Sequence, residues 1–145
     1  MQLLVQFHTT LKKADLITFV DSGAMENFIS QEFVDRHKLG TKLLQFPKQL
    51  HNADGTDNQG GKLTRYSDLE VSTGEQVHML RFYVAEMGGD HMVLGYPWFI
   101  AANPKPNWSQ GTLDAVIVVR TAGAASEKPQ REVEVRGLTG IQVRN

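Results

Sequence analysis

The sequence predicts a mostly β fold with one or two short helices. Short apolar segments recur along the chain, clusters of turn residues separate them, and only two stretches carry helix signals. At 145 residues, with 41% hydrophobic and 21% charged content, the chain is long enough for one domain with a sizeable core.

The elements follow in order. Leu3 to Phe7 reads as a strand with Leu3, Val5 and Phe7 on one face. Lys12-Lys13-Ala14-Asp15 reads as a turn. Leu16 to Val20 is a near-continuous apolar run, the pattern of a strand buried on both faces. Ser30 suits the cap of a short helix through Lys38, with Phe33, Val34 and His37 on one face and Gly40 just past its end. Pro47 argues against helix in the next stretch. Leu50 to Gly61 is dense in turn residues and flanked by strand-like segments. Leu63 to Tyr66 and Leu69 to Ser72 read as two short strands, Gly74-Glu75 as a turn, and Val77 to Val84 as an alternating strand. Gly88-Gly89-Asp90 turns the chain into Met92 to Leu94. Pro97 suits the opening of a second short helix in which Trp98, Phe99 and Ile100 are expected to bury. Leu113 to Val119 is the last β-branched strand. The expected domain is 1–120, with 121–145 a linker or C-terminal extension whose Val133 to Val143 alternates weakly.

Composition narrows the function classes. The net charge of −1 gives no basic field for nucleic acid. There is no cysteine, which removes disulfides, cysteine zinc sites and a thiol nucleophile. The first residues lack a charged leader, and no run of 18 apolar residues suggests a membrane span. His8, His37, His51, His78 and His91 show no metal-ligand spacing, so surface or packing roles are expected. Trp98 and Trp108 read as packing residues rather than ligand stackers.

One constellation carries chemistry. The run Leu16 to Val20 ends in Asp21-Ser22-Gly23-Ala24. A carboxylate at the end of a buried strand is costly unless something uses it. Ser22 sets a hydroxyl beside it, and Gly23 permits a sharp turn and close approach. Downstream, Met92-Val93-Leu94-Gly95 repeats the apolar-apolar-Gly pattern without an Asp. Asp-Ser-Gly is also a common turn tripeptide, so Asp21 taken alone reads as a turn residue after a strand before it reads as a catalyst. Ser72-Thr73-Gly74 lacks a preceding Asp, and Asp54-Gly55-Thr56 has the wrong order. If two facing carboxylates are needed, the second must come from a second copy across a two-fold axis.

The wider pattern resembles the retropepsin-like aspartic proteases of gypsy-type LTR retrotransposon polyproteins. The matching stretches are Val20 to Ala24 with Asn27 to Ser30, Ala53 to Thr56 with Gly61, and Val93 to Phe99 followed by Asn103-Pro104 and Trp108. They stand in the family's order and spacing and together span roughly residues 15 to 113, most of the domain. The resemblance implies an acid-protease barrel carrying half an active site per chain. It implies that Asp21 is the catalytic carboxylate and that Ser22 bridges the two active-site loops across the dimer axis. Gly23 and Ala24 would offer backbone contacts to water and substrate. Ala53, Asp54, Gly55, Thr56, Gly60 and Gly61 would belong to a flap over the peptide. Leu94 and Gly95 would pack behind the catalytic loop. Viral members often follow that glycine with Arg-Asn, where this chain has Tyr96-Pro97, so their interface salt bridge does not carry over.

The expected activity is that of a homodimeric aspartic endopeptidase holding about six to eight residues of extended peptide, on the order of 25 Å. The expected substrate is the polyprotein that carries the domain, and the expected location the cytoplasm or a virus-like particle. No cofactor, metal, nucleic acid or membrane is expected. Two other readings stay open at this level: a non-catalytic dimeric peptide-binding or assembly module of the same fold, and a domesticated cellular protease.

Overall fold

The computed structural model describes residues 1–51 and 57–121. Eight strands and two helices follow one another as β1 (Gln2–His8), β2 (Lys13–Val20), β3 (Asn27–Ser30), α1 (Gln31–His37), β4 (Lys42–His51), β5 (Asp57–Thr73), β6 (Gln76–Ala85), β7 (His91–Leu94), α2 (Tyr96–Ala102) and β8 (Ile117–Thr121). The sheet order is β4-β5-β6-β3-β7-β2-β1-β8, and β8 also pairs with β5. That extra pairing closes seven strands, β5 to β8 inclusive of β1, β2 and β3, into a barrel. β4 lies outside the ring, paired to the first half of β5 as a projecting arm. The mostly β barrel with two short helices is the architecture the sequence predicts.

The barrel closes because each strand offers one apolar face. On β1, Val5 and Phe7 are buried while Leu4 faces out. On β2, Leu16, Thr18 and Val20 point inward. Phe82, Val84, Leu69, Val71, Ile117 and Val119 complete the lining from β6, β5 and β8. Each fully buried large side chain contributes about 1.5–3 kcal/mol relative to exposure. The helices plug the open ends. α1 drives Phe33 against Phe7, edge to face at 5.0 Å. α2 drives Trp98 fully inside, where its indole N–H donates to Thr73 Oγ1 at 3.0 Å.

Helix α1 forms for the reason its cap suggests. The Ser30 hydroxyl accepts the Phe33 N–H at 3.2 Å, Glu32 sits in the first turn, and Arg36 and His37 lie in the last. Its end differs from expectation. Lys38, not Gly40, takes the left-handed conformation, with φ 53°, and its N–H returns to the carbonyls of Val34 and Asp35. The pattern repeats at α2, which opens at Tyr96, with the expected Pro97 in its first turn, and ends on left-handed Asn103.

Other expectations shift. The first turn lies at Thr9–Lys12, closed by Thr9 N–H to the Lys12 carbonyl at 2.9 Å, so Lys13 already belongs to β2. β2 is not buried on both faces, because Ile17 and Phe19 are 37% and 39% exposed. Leu63–Tyr66 and Leu69–Ser72 belong to the single long strand β5. Only Ile117 to Thr121 of the last apolar stretch forms a strand. Ile100 is 64% exposed, since it lies on the outer side of the helix that buries Trp98. Among the described residues no helix is long and apolar enough to cross a membrane. Residues 122–145, the expected extension, lie outside the described residues.

Two outcomes test this packing. Thr73→Val leaves the buried Trp98 N–H without its acceptor and lowers stability by about 1–3 kcal/mol in urea titration. His37 packs on Phe33 with the rings tilted at 4.3 Å between centroids, and burial, with Lys12 and Arg36 nearby, holds its imidazole below the ordinary value against the opposing pull of Asp90. A base depressed in the folded state takes up its proton more readily when unfolded. Stability is therefore full above the ordinary imidazole value and declines as pH falls below it. Thermal melts between neutral and mildly acidic pH should show that decline, and His37→Gln should flatten it.

Candidate active site

Strands β2 and β7 run parallel, with Val20 beside Leu94. Both therefore end at the same level, and the loops that follow them stack. The Asp21 N–H donates to the Leu94 carbonyl at 3.1 Å, which fastens the start of one loop to the end of the other strand. The Tyr96 N–H donates back to the Ala24 carbonyl at 2.8 Å. Between these two bonds lies Gly95. A Cβ there would lie 2.7 Å from the Ala24 carbonyl oxygen and closer still to that of Glu26. Backbone occupies the space on that side, so no side chain fits.

Asn27 locks the stack. It is fully buried, and its side-chain oxygen accepts the Gly95 N–H at 2.8 Å. Its amide nitrogen donates to the Arg81 carbonyl at 3.4 Å. One side chain thus satisfies a buried loop donor and ties it to a strand acceptor.

On this support the loop Asp21–Ala24 turns outward. The Asp21 carbonyl accepts the Ala24 N–H at 3.1 Å, and its carboxylate Oδ1 accepts the Gly23 N–H at 2.9 Å. Asp21, Ser22 and Gly23 are all exposed. The cost expected for a buried carboxylate is therefore not incurred in the single chain, because the strand delivers Asp21 to the surface. The Ser22 hydroxyl makes no hydrogen bond among the described residues.

An apolar wall stands beside the loop, and the sequence reading missed it. Residues directly opposite in a sheet share a face. The register sets Phe19 beside Val93, Val93 beside Phe28, and Phe28 beside Tyr83. All four lie on the outer surface of the barrel and are partly or substantially exposed. Phe19 is two residues from Asp21, at the end of β2 from which the loop starts. His91 continues the wall, edge-on to Phe19 at 5.5 Å. The signal was the alternation of Leu16, Thr18 and Val20 with Ile17 and Phe19, hidden by the uniform hydrophobicity of the run.

The arm approaches from the other side. Lys48 of β4 pairs with Glu26 at 3.2 Å and lies 5.6 Å from the centre of the Tyr83 ring. The β4–β5 register slips between Leu43 and Lys48, around Pro47, and again between Gln49 and His51. Of the expected flap residues, Gly60 and Gly61 fall in β5, with Gly61 at φ 85°. Ala53, Asp54, Gly55 and Thr56 lie outside the described residues. Among the described residues no group of three or more His, Cys, Asp or Glu side chains is placed to hold a metal ion.

Comparison with known protein families adds one finding. The family model for the PEG10/RTL1 protease domain matches residues 17–116, more than half of the chain. The match starts inside β2, takes in both stacked loops and the apolar wall, and ends just before β8.

Gly95→Ala tests the stack directly. The added methyl meets backbone rather than a movable side chain, so the loops must separate. The expected loss of stability is about 3 kcal/mol or more, read from denaturant unfolding. Native-like stability would mean that the loops are not seated as described.

Proposed function

Because the chain belongs to the PEG10/RTL1 protease domain family, a retropepsin-like group, we propose that it is one subunit of a homodimeric aspartic endopeptidase with Asp21 as its catalytic carboxylate. The observation that carries this reading is the exposed Asp21 loop, rigidly backed by the Gly95 loop and flanked by an apolar wall. A single surface carboxylate is a weak catalyst for peptide hydrolysis. Two such loops brought together by a two-fold axis set their carboxylates face to face. Held close, the pair retains one proton between them. The ionised member takes a proton from a water molecule, which attacks the scissile carbonyl. The protonated member polarises that carbonyl and supports the tetrahedral intermediate.

Ser22, beside each carboxylate, would tie one loop to its partner across the two-fold axis. Gly23 keeps the floor low, since a Cβ there would crowd the Asp21 Oδ1 at 3.2 Å. An extended peptide lies between the wall and the arm, with backbone bonds supplying affinity and the Phe19–Val93–Phe28 surface receiving an apolar side chain. The substrate proposed is a polyprotein segment with a bulky apolar residue at the scissile bond.

The deciding experiment is cleavage of a mixed peptide library at mildly acidic pH by the native chain and by Asp21→Asn. The substitution keeps shape and removes the ionisable group. Cleavage should fall by at least about a hundredfold. Native activity per chain should also drop on dilution, because the site needs two copies. Equal cleavage by both proteins, or a rate still climbing at alkaline pH, contradicts the shared-proton mechanism. A native chain that binds a peptide-like inhibitor but cleaves nothing would support the non-catalytic module instead.

A further inference from the structure

Helix α1 grips the turn that leads into β7. The Ser30 hydroxyl donates to the Gly89 carbonyl, the Glu32 carboxylate accepts the Gly89 N–H, and the Arg36 guanidinium pairs with Asp90 Oδ2. The gripped turn has little stiffness of its own. Gly88 and Gly89 have φ of 66° and 102°, a region that glycine favours and that leaves no side chain to pack. Asp90 Oδ1 is buried and has no hydrogen-bond partner among the described residues, so Arg36 is the group that answers its charge.

The turn in turn carries part of the apolar wall. The Asp90 carbonyl accepts the Ile17 N–H at 3.2 Å, which fixes the turn to β2. The next residue is His91, opposite Ile17 and edge-on to Phe19. Gly89 lies directly against the His91 ring, since a Cβ there would be 3.3 Å from Cε1. A shift of the turn therefore moves His91, and His91 flanks the aromatic ring nearest Asp21.

We propose that Glu32 and Arg36 are positioning residues for the peptide cleft: by holding the Gly88–Asp90 turn they fix His91 and Phe19 in the wall that receives a bulky substrate side chain. This rests on the endopeptidase reading. Neither residue is placed to touch substrate, and both act on the wall rather than on the Asp21 loop, which has its own support in Gly95 and Asn27. Their loss should weaken recognition of large apolar side chains and spare the bond-breaking step. The fold should survive, because Ser30 still caps α1 and Phe33 and Val34 still anchor it.

The test uses the full chain, Glu32→Ala, Arg36→Ala and Arg36→Lys. Two peptides drawn from the library differ only in the residue beside the scissile bond, aromatic in one and alanine in the other. The expected result is a rise in KM of about threefold to fivefold for the aromatic peptide in both alanine variants, the range an exposed ion pair can carry. Unchanged kcat, an unchanged KM for the alanine peptide, and recovery in Arg36→Lys complete the expected pattern. Amide exchange at Gly89 should quicken in Glu32→Ala, a readout independent of activity. Faster exchange with a native KM overturns the positioning role, as does unchanged exchange. Equal losses on both peptides with a lowered melting temperature would show a merely structural role and overturn it too. A native chain that cleaves neither peptide overturns the endopeptidase reading and this inference with it. That outcome is separable from the others, in which the native protein cleaves both.

Discussion

Gly95 is the point on which the rest of the structure depends. Two strand ends arrive together, and the loop from β2 crosses directly over the loop from β7. The crossing is possible because one residue has no side chain. With it in place, backbone bonds from Asp21 to Leu94 and from Tyr96 to Ala24 form on either side, and Asn27 seals the stack from within. The barrel supplies the parallel register that brings the ends level. The height and tilt of the Asp21 loop follow from that register rather than from residues in the loop itself. This division explains how an exposed turn can be geometrically defined: its freedom is removed from below.

The strands were legible in the sequence wherever alternation or β-branching was strong, as at β1, β6 and β7. Boundaries were less so, because long-range pairing decides them. β5 runs through Ser67 and Asp68 because it pairs with β6 on one side, not because those residues favour strand. The outward side chains of β2 were misread for a related reason. Ile17 and Phe19 are as apolar as Leu16 and Val20, and only the barrel's curvature says which pair faces solvent. Left-handed Lys38 is a similar case, since nearby Gly40 suits a helix end better by propensity.

At the site, the structure brings Asp21 to Ala24 and Leu94-Gly95 together through backbone hydrogen bonds. Asn27 was visible in the sequence only as part of a resemblance. Its two hydrogen bonds, to the Gly95 N–H and the Arg81 carbonyl, show why an amide suits that position, with one acceptor and one donor. The apolar wall and the grip of α1 on the Gly88–Asp90 turn could not be read locally, because they join residues that only the β2–β7 and β3–β7 pairings make neighbours. His37 adds a further coupling. The same helix that grips the turn carries an imidazole whose protonation works against the fold.

The closure of the barrel has a consequence for how the chain reaches this state. The sealing strand β8 lies near the end of the described chain, yet it must insert between β1, near the start, and β5. During synthesis the sheet stays open until β8 emerges, and the edges of β1 and β5 are bare for that interval. Bare edges of apolar strands invite pairing with other chains. Contacts so distant in sequence also form slowly, because the loop-closing entropy is spent before they contribute. A nascent chain of this kind is therefore most at risk of self-association just before β8 emerges, and a truncation ahead of Ile117 would make that transient exposure permanent.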